Sequence, residues 1–122
     1  MDKYQTLVGR VLLAHIFLLA GISKISGYAG TQGWMESMGV PGMLLPLVIL
    51  LEIGGALALI VGWKTRWAAW ALAAFSVLSA VIFHSNLADQ MQSILFMKNL
   101  AMAGGLLVLA AHGAGSISLD KK

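Results

Sequence analysis

Four long apolar stretches, parted by short polar or glycine-rich ones, set the pattern of this chain. The first runs from about Tyr4 to about Ser26, with Val11 to Ser23 as its uncharged heart. The second, from about Met43 to Val61, holds one charge, Glu52. The third runs from about Trp67 to His84, and the fourth, from about Ser93 to Ala111, is interrupted by Lys98. A helix of about 20 apolar residues crosses the hydrocarbon core of a bilayer and satisfies its own backbone there. The pattern predicts an all-α membrane protein: four transmembrane helices in an antiparallel bundle, one four-span domain over residues 1–122.

The connections differ in kind. Gly27 to Gly42 is glycine-rich, with Tyr28 and Trp34 suited to the headgroup zone. There Trp34, Met35 and Met38 are expected to form a short interfacial helical turn over the mouth of the bundle. Gly62 to Arg66 is a tight turn, and Ser85 to Gln92 a polar loop. The tail, His112 to Lys122, is expected to end the chain outside the bilayer. Arg10 and Lys24 lie too far inside the first stretch for a cleaved signal, which is therefore read as a retained helix.

Composition sharpens this picture. Charged residues make up 11% of the chain and hydrophobic ones 59%, against about 25% charged in soluble domains. With no cysteine, thiol–disulfide chemistry, thiolate metal sites and iron–sulfur clusters are excluded on this chain. The net charge of +3 sits mostly at the span ends, without the basic run or stacking platform of a nucleic-acid binder. Lys3, Arg10, Lys64, Arg66, Lys121 and Lys122 gather on one side, which predicts that both termini face the cytoplasm.

Glu52 is the residue the rest must accommodate. An ionised carboxylate in mid-membrane costs roughly 3 kcal/mol on insertion scales, so it needs a partner, a proton or a ligand. Gly54, Gly55, Ala56 and Ala58 follow it and allow a neighbouring helix to approach. At about 100° per residue, Arg10, Ala14, Phe17, Gly21 and Lys24 share one face of the first span. Glu52, Gly55, Ala56 and Leu59 share one on the second, and Ala73, Val77, Ala80 and His84 on the third. Lys98, Met102, Gly105, Leu109 and His112 share one on the fourth. Lys98 is the first expectation for the cation facing Glu52 and Lys24 the second. Arg10, in the other half, is expected to meet lipid phosphate or carbonyl groups.

Lys24, Lys98 and His84 outnumber Glu52 in the outer half, so the mouth favours an electron-rich headgroup: a quinone carbonyl, a quinol oxygen or a small oxyanion. Candidate headgroup residues are Lys24, Glu52, His84, Lys98 and Asn99, with Arg10 secondary. Paired axial histidines for haem must share a depth, and His15, His84 and His112 do not. No metal site is expected. A structural ion pair that fixes helix register explains Glu52 without any ligand.

Gly9-Arg10, Ala20-Gly-Ile-Ser-Lys24, Tyr28-Ala-Gly-Thr31, Met38-Gly-Val-Pro41 and Leu51-Glu-Ile-Gly-Gly55 occur in order. Phe83-His-Ser-Asn86, Phe96-Met-Lys-Asn99 and the terminal Gly113-Ala-Gly-Ser-Ile-Ser-Leu-Asp120 follow. The ordered set resembles the DoxX family of small four-span bacterial membrane proteins, in particular its YqjF-like inner-membrane branch. Where many relatives read Gly-Pro-Gly in the tail, this chain has Gly113-Ala-Gly115. The resemblance implies a bacterial inner-membrane location and, for some members, a place in quinone-linked oxidoreductase complexes.

Two expectations result. In one, the chain is an accessory subunit of a quinone-linked membrane oxidoreductase, with electrons supplied by a partner subunit and the lipid bilayer as its medium. A homodimer is the other assembly expected. In the second, it is a non-catalytic scaffold or lipid-binding protein with a structural buried ion pair.

Overall fold

The computed structural model describes residues 2–83 and 88–120. Five α-helices follow in order: α1 (Asp2–Ser26), α2 (Tyr28–Ser37), α3 (Leu45–Val61), α4 (Thr65–Phe83) and α5 (Gln90–His112). A short 3-10 turn, Gly42–Leu44, leads into α3. All but α2 are long and apolar enough to cross a membrane. The four long helices run alternately up and down. α1 packs on α3, α3 on α4 and α4 on α5, while α5 meets α1 over a much shorter stretch.

Local chemistry fixes the helix ends. Pro46 occupies the first turn of α3, where its missing N–H breaks no helical bond. Gly62, at φ 72°, closes α3 in the left-handed conformation, which costs glycine nothing. Asp89 caps α5 by accepting from the backbone N–H of Met91 at 2.9 Å and of Gln92 at 3.2 Å. Cap and helix together start the last span earlier than its apolar stretch does.

Each long helix buries a narrow stripe of small and branched residues and turns the rest outward. Ala14, Phe17, Ala56, Leu59, Leu72, Ala73, Ala103 and Leu106 meet in the core. Large apolar side chains such as Leu12, Leu50, Leu78 and Val108 face outward. In water that arrangement is unfavourable, whereas in lipid it is the rule, since packing of small residues drives association there.

Two segments depart from expectation. The glycine-rich connection forms a ten-residue helix, α2, longer than the short turn the sequence suggests. An isolated segment of that length is marginal, and docking supplies what propensity does not. Met35 is buried, and Trp34 stacks on Phe83 with ring centroids 4.5 Å apart.

The tail, in turn, folds back onto the corner between α3 and α4. Leu119 and Asp120 donate their backbone N–H to the carbonyls of Val61 (3.0 Å) and Gly62 (2.8 Å). The Asp120 carboxylate accepts from the backbone N–H of Lys64 and Thr65, both at 2.8 Å. It therefore caps α4 from 55 residues away in the chain.

Candidate functional site

The site begins where α1 and α3 come closest. A methyl group at Gly21 would lie 3.4 Å from Glu52 Cβ and would collide with Ile53, so only glycine allows this approach. One turn further along α1, Lys24 Nζ lies 2.7 Å from Glu52 Oε1. The Glu52 side chain is 3% exposed and that of Lys24 25%. The carboxylate is thus held inside the bundle, and the ammonium reaches it from the end opposite the chain termini.

Lys98 is not the partner of Glu52. It is exposed on α5, a helix that packs chiefly on α4, whereas α1 lies directly on α3. The neighbouring Asn99 turns inward instead, donating Nδ2–H to the Ser76 carbonyl at 3.3 Å. The buried stripe of α5 is Ala103, Leu106, Leu109 and Ala110, rotated by one residue from the expected one. On α4 the expected Ala73 and Ala80 are buried, together with Ser76, while Val77 faces outward.

Arg10 is also corrected. It is buried, 1% exposed, and its Nη2 donates to the Ile117 carbonyl at 2.7 Å. It meets the protein's own tail rather than lipid. His84 lies outside the described residues.

Beside the ion pair lies a cavity of about 240 Å³, far more than the space one ordered water needs. Lys24 and Glu52 form its charged pole, and Ser76, Ser79 and Asn99 its neutral polar side. Phe17, Phe75 and Phe83 line its walls, together with Trp34 and Met35 of α2. Ser76 donates its hydroxyl to the Leu72 carbonyl at 2.9 Å. Ser76, Ser79 and Phe75 were not singled out by sequence. The one available signal was that serines on an apolar span must find partners or line a polar space.

The lining combines aromatic, apolar and polar side chains. Aromatic and apolar walls with a few convergent polar groups are the usual composition of a small-molecule site.

Comparison with known proteins agrees with the architecture. The DoxX family model matches residues 5–85. Over 121 residues the chain is 54% identical to inner membrane protein YqjF of Escherichia coli (strain K12), spanning 99% of this chain and 93% of that protein. Inner membrane protein YphA of the same strain is 33% identical over 123 residues, 95% of this chain and 88% of that one. A protein of Bacillus subtilis (strain 168) with an oxidoreductase name, CatD, is 33% identical over 61 residues, 50% of this chain and 46% of its own. No solved structure matches the chain. A match over most of the chain by the family model, and over nearly all of it by a relative, places it: the chain belongs to the DoxX family.

Proposed function

We propose that the chain is a multi-pass inner-membrane protein, both termini cytoplasmic, whose cavity receives the headgroup of a quinone-type ligand as accessory subunit of a membrane oxidoreductase. The observation that carries this reading is the Lys24–Glu52 pair set in the wall of an aromatic-lined cavity. The residues fit such a group. Lys24 donates to a ring oxygen, Asn99 and Ser79 supply neutral hydrogen bonds on the other side, and Glu52 holds or releases a proton at its carboxylate. Phe17, Phe75 and Trp34 keep water from the ring. A ligand of this class supplies two-electron, two-proton carriage, and a partner subunit supplies the electrons.

The inner-membrane names of YqjF and YphA support the location, and the oxidoreductase name of CatD supports the class. Lys3, Arg10, Lys64 and Arg66 at the end that carries the termini support the orientation.

The purified protein in detergent, titrated with a short-chain quinone, tests the proposal. The expected result is a raised melting temperature and quenching of Trp34 fluorescence, lost in Trp34→Phe and weakened at least tenfold in Glu52→Gln. No quinone-dependent change in a protein that remains folded overturns it and leaves the non-catalytic scaffold.

A further inference from the structure

One wall of the cavity borders lipid, and its position bears on how a ligand gets in. α1 and α5 run antiparallel and touch only briefly. The seam is closed where Leu13 of α1 leans over Gly105 of α5: a methyl added at Gly105 would lie 3.3 Å from Leu13 Cδ2. One turn toward the outer end on each helix, Ile16 and Met102 both line the cavity. Ile16 is at the same time 41% exposed on the outside of the bundle. One side chain therefore borders both the cavity and the lipid, at a depth inside the span Lys3–Ser26.

From above, α2 lies over the cavity. Met35 is buried under α2, and Trp34 lies against Phe83. A water-soluble anion meets an aromatic stack at the top and hydrocarbon at the side.

Building on the headgroup reading above, we infer that the cavity is filled from within the bilayer, through the α1–α5 seam at Ile16 and Met102, by an amphiphile whose hydrocarbon tail stays in the lipid. This selects among the chemistries that suit the polar lining. A ring or headgroup on a long chain partitions to the seam and inserts its polar end, and a small free oxyanion does not. The tail leaves past Ile16 and Met102, both apolar, with Ile16 facing acyl chains. Lys98, exposed one turn above Met102 on the same face of α5, then acquires a role: a cation at the rim, where it attracts the oxygens of an approaching headgroup.

The full chain in liposomes of phosphatidylethanolamine and phosphatidylglycerol tests this with two probes. The first is an alkyl diazirine dissolved in the bilayer, photolysed and mapped by mass spectrometry. Carbene labelling of Ser79 inside the cavity is expected, alongside the lipid-facing Leu107, and Ile16→Trp should reduce Ser79 labelling at least fivefold while leaving Leu107 unchanged. Leu12→Trp, on the same helix but away from the cavity, should reduce neither. Labelling of Leu107 without Ser79, or unchanged Ser79 labelling in Ile16→Trp, overturns the side opening. The second probe is a decyl-tailed benzoquinone as competitor, compared with the same ring without a tail. The tailed compound should protect Ser79 at tenfold lower concentration. Equal protection by both overturns tail-guided access. Labelling that neither compound blocks keeps the opening and overturns the quinone reading alone.

Discussion

At the end that carries the termini, the tail and the corner between α3 and α4 satisfy one another. Asp120 is fixed by two backbone N–H groups and Arg10 donates to Ile117. At the opposite end Lys24 and Glu52 make a single ion pair beside open space. Both ends keep charge away from lipid, with different results. Where hydrogen bonds are made to backbone, the charge serves the shape of the fold. Where side chain meets side chain at the edge of a cavity, polar capacity remains. The contrast separates a structural end from the proposed binding end, and each can be broken without the other.

The largest effect belongs to the ion pair. Lys24→Met leaves the Glu52 carboxylate buried without its cation, and stranding one member of a buried pair is strongly destabilising. Because Lys24 is a quarter exposed, a loss of about 2–3 kcal/mol is expected, at or below the low end for fully buried pairs. Thermal unfolding in detergent measures it. Adding Glu52→Leu to Lys24→Met should restore most of the stability, since apolar replacements of a buried pair are often neutral. The double variant should still bind no headgroup. A double variant that remains unstable would show that the pair shapes the bundle rather than the cavity.

Next comes the strap at the other end. Asp120→Ala removes the cap from the N-terminus of α4 and should cost about 1–2 kcal/mol, the usual range for a lost cap. The quinone-induced rise in melting temperature should be the same size as in the parent protein. A reduced rise would mean that the two ends communicate, and the division drawn above would fail.

The sequence made the four spans legible because lipid allows so few solutions: a long apolar stretch becomes a helix, and a lone carboxylate within it turns inward. It also placed the polar stripe of α1, where Arg10, Ala14, Phe17 and Gly21 are all buried and Lys24 completes the series. On α5 small residues occur on every side, so the stripes through Lys98, Met102 and Gly105 and through Asn99, Ala103 and Leu106 look alike. They differ by one residue, about 100° of rotation, which is enough to send Lys98 outward and Asn99 inward. Only packing against α4 decides between them. The Asp120 cap was hidden for another reason: its partners are 55 and 56 residues away, and nothing local marks a polar tail as a strap. Likewise α2 is a helix because Met35 and Trp34 dock, not because its glycines favour one.

The smallest effect tests the lipid-facing surface that both ends share. A methyl added at Gly104 would meet no atom of the protein within 4 Å, and Gly104 is exposed in the middle of α5. Glycine inside a helix costs about 0.5–1 kcal/mol relative to alanine through backbone entropy. If this face meets only lipid, Gly104→Ala should stabilise the protein by that amount and leave headgroup binding alone. The same substitution at Gly105 puts a methyl 3.3 Å from Leu13, tighter than ordinary contact. There the gain in entropy is offset by the shift it forces on the seam. Thermal unfolding of the two variants side by side compares open lipid with a point where α1 and α5 close. A Gly104→Ala variant less stable than its parent would mean that another helix already occupies that face.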